Sequence, residues 1–190
     1  MYKMTATRLT GGNPGKNRKE TDYYPTPADV TQALLDFIHI PAGTKVWEPA
    51  CGGGHMVRVL EANRLKVTGT DIETGTDFLT AELPEGVRWI ITNPPFSMAT
   101  EFIETCARHN RPFALLMKSQ FWHARKRYDL FLEHPPRYVL PLTWRPDFNF
   151  LDRKEGERGS PLMDVCWCVW DGMPAFTQYV PLRKPEEAKR

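Results

Sequence analysis

No apolar run in this 190-residue chain approaches the roughly 20 residues that a membrane span requires. The N-terminal stretch MYKMTATRLTGGNPGKNRKETD has no apolar core of the kind a secretory signal carries, so a cytoplasmic protein is expected. An excess of either charge sign is lacking. The net charge is +2, which excludes a polycation and leaves nucleic-acid affinity to local patches. Those patches run from Lys16 to Lys19, Arg125 to Arg127 and Arg153 to Arg158, and each alone also fits ordinary solvated surface. Cysteine is sparse too. Cys51, Cys106, Cys166 and Cys168 match no zinc spacing, and no metal is expected. Cys166 and Cys168 lie two apart in an apolar run, so they share one strand face and read as buried thiols. Neither GxGxxG nor a phosphate-binding P-loop is present, and no internal repeat occurs.

What is there reads as one α/β domain. Hydrophobic residues make up 41% and charged residues 25%, a globular balance. Thr26 is placed to cap a helix starting at Pro27, with Asp29 in its first turn and Val30, Leu34, Leu35 and Ile38 on one face. Strand-like and helix-like segments then alternate. KVWEPA, LKVTGTDI, VRWIITNPP and PFALLMKSQF read as strands. GGGHMVRVLEANR, the segment from Met98 to Arg108, and HARKRYDLFLEH read as helices. RYVLPL and MDVCWCVW follow with no helix between them. The pattern predicts a Rossmann-like, doubly wound, mainly parallel sheet with an antiparallel edge strand. Between Asp71 and Val87 there is no room for a helix–strand–helix unit, so the fold is expected to be abbreviated there. The boundaries read are a flexible N-terminal arm over 1–21, one domain over 22–182 and a C-terminal tail over 183–190.

The first strand runs into a glycine-rich loop, VWEPACGGGHM. Glycine lets the backbone turn tightly and approach a ligand, and such ligands bind at the carboxyl ends of the strands. Glu48, four residues before Gly52, would repel phosphate and suits a positively charged group. Asp71 ends the second strand, 19 residues after Gly52, where a carboxylate can accept from both ribose hydroxyls. Asp77 and Phe78 together offer an acceptor for an adenine amine and a ring to cover it, though a turn-capping Asp and a core Phe fit as well. A nucleoside bearing a cationic, non-phosphate group satisfies these features, and S-adenosylmethionine is such a molecule.

The third strand ends in Asn93-Pro94-Pro95-Phe96. Pro94 is held extended by the proline after it, and neither proline has an N–H. Asn93 adds a side-chain carbonyl acceptor, and Phe96 adds an aromatic face. Two fixed acceptors beside a ring suit a planar exocyclic amino group.

These residues resemble a known family. NPPF is similar to the catalytic motif of S-adenosylmethionine-dependent amino-methyltransferases. EPACGGG resembles their cofactor loop, with Glu48 where Asp is common. DYYPTP resembles the cofactor-clamping segment that precedes the loop in adenine-N6 DNA methyltransferases, in a small, phage-like form. The resemblance covers roughly residues 22 to 172 and implies a class I methyltransferase-like fold. It implies that Tyr24, Pro25, Thr26, Glu48, Cys51, Gly52 and Gly54 border the methionine part of the cofactor, Glu48 near its ammonium. Asp71 would hold the ribose, and Asp77 and Phe78 the adenine. Asn93 and the Pro94 carbonyl, stiffened by Pro95, would accept from the target amine while Phe96 stacks on its ring. Transfer would be direct and in line, with no covalent intermediate, so Cys51 is no nucleophile.

The implied partner is DNA, with its adenine flipped or unpaired. The segment PLTWRPDFNFLDRKEGERGSPL is the candidate source of a second aromatic wall, Phe148 or Phe150, and of phosphate contacts from Arg145, Arg153, Lys154 and Arg158. Trp122 and Arg125 to Arg127 are similar candidates near the cleft rim. Lys118 reads first as a solvated strand end. The chain has no space for a target-recognition domain, so specificity is expected from short contacts, a partner subunit or a homodimer. Methylation of RNA adenine or of a protein glutamine amide also fits the clamp, although Tyr is commoner there in place of Phe96. A nucleic-acid-binding module without activity is the third reading.

Overall fold

The structure is a computed structural model and describes residues 24–152, 161 and 163–186. The N-terminal arm expected over 1–21, the run from Lys16 to Lys19, and Arg153, Lys154 and Arg158 lie outside the described residues, as does the end of the expected tail. Seven strands among the described residues form one sheet: β1 (Lys45–Glu48), β2 (Lys66–Gly69), β3 (Trp89–Thr92), β4 (Phe113–Lys118), β5 (Tyr138–Pro141), β6 (Val165–Trp170) and β7 (Gln178–Tyr179). Their spatial order is β2-β1-β3-β4-β6-β5-β7. The strands β1 to β4 run parallel, with Val46 opposite Val67 on one side of β1 and opposite Trp89 on the other. The antiparallel pairing expected of the last two long strands forms between β5 and β6. β6 inserts between β4 and β5 and runs antiparallel to both.

Among the described residues, four α-helices cover the sheet: α1 (Ala28–Phe37), α2 (His55–Ala62), α3 (Ala99–His109) and α4 (Tyr128–Glu133). Strand alternation sorts the core into two layers. Val46, Ile91, Ala114, Leu116, Trp167 and Val169 pack with Val30 and Leu34 of α1 and Met56 and Leu60 of α2. Trp47, Ile90, Leu115, Met117, Cys166 and Cys168 face the other way, against Phe102, Ile103 and Cys106 of α3 and Leu130 of α4. The central strands are buried on both faces, which explains their near-continuous apolar runs. Trp167, fully buried on β6, donates its indole N–H to the Val30 carbonyl at 2.9 Å and ties α1 to the sheet. Cys166 and Cys168 are buried thiols with their sulfurs 3.8 Å apart.

The abbreviated segment is as expected: Asp71 to Val87 holds a single 3-10 turn at Ile72–Thr74 and no strand, so β2 is an edge of the sheet. Two local expectations are corrected. The N-cap of α1 is Pro27, and Thr26 caps nothing, because its hydroxyl accepts from the Asn93 side chain instead. The segment expected as one helix from His123 is a 3-10 turn at Arg125–Arg127 followed by the short α4. Arg127 reaches back to the Phe121 carbonyl at 2.8 Å, and no side-chain N-cap supports an earlier start. No helix among the described residues is long and apolar enough to cross a membrane.

Candidate active site

The strand order reverses at β1, with β2 on one side and β3 on the other, and a cavity of about 350 Å³ opens at their carboxyl ends. This is the position at which doubly wound sheets bind ligands, and the volume suits a small-molecule cofactor. Its wall collects Tyr24, Pro25 and Thr26 from the segment before α1, and Glu48, Cys51 and Gly52 from the end of β1. Asp71 comes from the end of β2, Asp77 and Phe78 from the abbreviated segment, and Asn93 and Pro95 from the end of β3. The sequence did not point to His55, Met56, Thr76, Met98 and Phe102, which also line it. Each carries an ordinary helix or turn pattern and reaches the cavity only through tertiary packing.

The loop after β1 turns through Gly52 (φ 44°) and Gly54 (φ 71°), a left-handed backbone that side chains disfavour. Gly54 is the N-cap of α2 and stands outside the cavity wall. The Gly52 N–H donates to Asp71 Oδ2 at 2.8 Å, and the Glu73 N–H donates to Asp71 Oδ1 at 2.9 Å. One carboxylate thus joins the loop after β1 to the end of β2. Asp77 accepts from the Leu79 N–H at 3.0 Å. Phe78 is 3% exposed and packs on Trp47 and Phe102, with ring centroids at 5.1 and 4.7 Å.

Glu48 is 2% exposed, at the carboxyl end of β1. Burial pushes its carboxyl up to about 8, against hydrogen bonds from the Thr92 hydroxyl and the Ala50 N–H, with the Asp71 charge raising it further. The Thr92 hydroxyl donates to Glu48 Oε1 at 2.7 Å. Thr92 was legible in principle as a polar residue closing an apolar strand. Cys51 is also raised, by burial and then by the carboxylates of Glu48 and Asp71, so its thiolate is disfavoured.

Asn93 follows Thr92 at the end of β3. Its Nδ2 donates to the Tyr24 carbonyl at 3.0 Å and to Thr26 Oγ1 at 3.1 Å. The backbone carbonyl can only accept, so the amide orientation is fixed. Asn93 Oδ1 is buried and has no hydrogen-bond partner among the described residues. Pro94 is buried, and the Pro95 carbonyl accepts from Met98 N at 2.9 Å, which turns the chain into the 3-10 turn Phe96–Met98. The Phe96 ring faces Tyr24, with centroids 5.7 Å apart, and Lys118 Nζ sits 4.3 Å from its centre. Lys118 is therefore drawn over an aromatic face, where the sequence suggested plain solvation.

The four residues named for substrate are dispersed. Phe148 is 3% exposed and edge-on to Tyr24 at 6.1 Å. Phe150 packs on His55 at 5.4 Å. Arg145 pairs with Asp164 at 2.8 Å on the surface, and Arg125 is exposed in its 3-10 turn.

A seven-stranded, mainly parallel sheet with an antiparallel strand next to its last parallel one, and a ligand cavity at the switch point, defines a class I methyltransferase-like fold. The chain is similar to a modification subunit assigned to a type I restriction enzyme of Vibrio vulnificus YJ016, at TM-score 0.56 and 12% identity, over 90% of this chain and 49% of that one. The chain thus spans about half the length of that structure. It is also similar to the 23S rRNA methyltransferase ErmE, at TM-score 0.52 and 12% identity, over 82% of this chain and 73% of that one. No family profile matches the sequence, and no curated protein sequence matches it significantly.

Proposed function

We propose that this protein is an S-adenosylmethionine-dependent methyltransferase that modifies the exocyclic N6 amine of adenine in DNA, acting on a flipped or unpaired base in the cytoplasm. The observation that carries the reading is Asn93 Oδ1. A buried acceptor without a partner costs about 1–3 kcal/mol, and here it is held in place by two hydrogen bonds to the other end of the same amide. Such a group is satisfied when an N–H arrives.

The residues present fit the cofactor. Glu48 is a buried carboxyl in the cavity wall, suited to an ammonium group, and Asp71 at the end of β2 is suited to ribose hydroxyls. Tyr24 to Thr26, Cys51 and Gly52 would border the methionine part, and Asp77 and Phe78 the adenine. When bound, the cofactor supplies an electrophilic methyl group on a sulfonium. The protein's own part is to hold the amine. Asn93 Oδ1 and the Pro94 carbonyl accept its two N–H groups. They favour a more tetrahedral nitrogen and stabilise the positive charge that develops on it, which is preorganised electrostatics. Fixed placement against the cavity adds an orientation effect. Phe96 offers its face to the base. Target specificity would come from short contacts of this chain, a partner subunit or a homodimer.

The test is transfer of labelled methyl groups to unmethylated duplex DNA, single-stranded DNA, RNA and glutamine-containing peptides, followed by mass spectrometry of nucleosides and peptides. N6-methyldeoxyadenosine is expected from the wild type. Asn93→Ala should lose at least about a hundredfold in rate, with cofactor affinity within a few-fold. Full activity in that variant removes the mechanism. Label in RNA or peptide alone moves the assignment to that acceptor.

A further inference from the structure

A separate cavity adjoins Phe96. It measures about 280 Å³ and is lined by Phe96, Met117, Lys118, Gln120, Phe121 and Arg127. Among the described residues, its polar groups are two cations and an amide, and no carboxylate lines it. Lys118 ends β4 and holds its ammonium 4.3 Å from the centre of the Phe96 ring and 5.7 Å from that of Tyr24. Arg127 lies over Phe121, its Cζ 4.0 Å from the ring centre, and donates from one terminal nitrogen to the Phe121 carbonyl at 2.8 Å. Arg127 Nε is buried and has no hydrogen-bond partner among the described residues. A guanidinium N–H buried without an acceptor is costly, and it is directed by contacts that fix the rest of the group.

From this juxtaposition we infer that the cavity beside Phe96 is an anion subsite, in which Lys118, Gln120 and Arg127 take a backbone phosphate next to the nucleotide whose base stacks on Phe96. The inference rests on the proposed methyltransferase reading and deepens it. A phosphodiester beside the target amine is present in every nucleic acid and in no peptide. Cationic side chains close to phosphates position the strand without reading its sequence. Lys118 links the two events. Its ammonium covers the Phe96 face, and a ring inserted between Phe96 and Tyr24 needs about 7 Å at ordinary contact distances, against the 5.7 Å present. An entering base displaces the ammonium, and a phosphate in the neighbouring cavity receives it. The cation–π contact given up is worth about 0.5–2 kcal/mol, within the range a charged hydrogen bond restores.

The experiment measures binding of a short, labelled, single-stranded oligodeoxynucleotide containing adenine, with S-adenosylhomocysteine present, between about 50 and 200 mM salt. Lys118→Met and Arg127→Met should each flatten the slope of log affinity against log salt by about 0.7 and weaken binding several-fold at the lower salt. Arg127→Lys should restore most of the slope. Lys66→Met, an exposed cation on edge strand β2, should leave it unchanged. Arg127 also braces Phe121, so if Arg127→Met unfolds, Lys118→Met and Arg127→Lys carry the test. Slopes equal to wild type in the Lys118 and Arg127 variants overturn the subsite and leave the methyltransferase reading intact. A wild type that binds the nucleoside but no oligonucleotide, and methylates peptide, overturns the subsite together with the nucleic-acid substrate. A wild type that binds oligonucleotide but no nucleoside removes the methyltransferase reading, and with it the role of the subsite in placing a target base.

Discussion

If Glu48 holds the ammonium of the cofactor, as proposed, it ties cofactor binding to pH. Its carboxyl is buried and pushed up to about 8, so at pH 7 only about a tenth of the ligand-free protein carries the charge. Ionising it at pH 7 costs about 1.4 kcal/mol, a cost that rises by the same amount for each further unit of acidity. An ammonium placed against Glu48 requires the ionised form, so binding must release a proton below pH 8. The sign follows from the direction of the shift. The folded carboxyl is raised above its ordinary value of 4.5, so the ligand-free fold is favoured by the proton at low pH and loses that advantage as pH rises through about 8. Cofactor binding gains over the same interval. Between about pH 5.5 and 7.5 the ligand's own amino group stays largely protonated, and the dissociation constant should fall about tenfold per unit, close to a hundredfold in all. Calorimetry with S-adenosylhomocysteine in buffers of different ionisation enthalpy reads the proton directly. About one proton should leave per ligand bound near pH 6.5. Glu48→Gln should bind more weakly, with no pH dependence, and the ligand-free variant should be more stable than wild type above pH 8. A flat affinity with no proton released refutes the assignment of Glu48 to the ammonium.

Three other outcomes test the site and the fold. Thr26→Val removes one of the two acceptors that hold Asn93 Nδ2, and methyl transfer should fall about tenfold with cofactor affinity little changed; an unaltered rate means the Tyr24 carbonyl suffices. Asp71→Ala should weaken cofactor binding about 10–100-fold by calorimetry, since it removes a charged acceptor and frees Gly52 from the end of β2; unchanged affinity places the ribose elsewhere. Trp167→Phe deletes the indole bond to Val30 and leaves a void between α1 and the sheet. It should cost about 2–3 kcal/mol in urea unfolding, and a loss under about 1 kcal/mol refutes the role given to that bond.

Most of the sheet is legible because its central strands are short, nearly continuous apolar runs, with the polar Glu48 closing β1 and Asn93 following β3. The missing unit after Asp71 is legible from chain length alone. β7 is not, because Gln178 and Tyr179 are exposed and show no alternation to distinguish them from loop. Thr26 misleads for a physical reason. A hydroxyl before a helix caps it unless a stronger partner is near, and that partner, Asn93, is 67 residues away in sequence. Cys51 and Gly52 of the glycine loop and Asn93 and Pro95 of the NPPF segment meet round one cavity because they follow the carboxyl ends of the neighbouring parallel strands β1 and β3. The cations beside Phe96 come from the end of β4 and from a 3-10 turn, and only packing sets them together. Of the Arg125–Arg127 run, the residue turned inward is Arg127, while Arg125 stays on the surface.

The segment Tyr24 to Thr26 has two tasks. It is part of the cavity wall, and it supplies both acceptors that orient the Asn93 amide. On the proposed reading, a ligand held against this segment also holds the acceptor offered to the amine, so the two binding events share one set of contacts. Reciprocity then requires an amine-bearing partner seated at Asn93 to tighten the nucleoside by the same factor. The two substrates should show positive heterotropic coupling, and the complex of all three components should be the longest-lived state of the system.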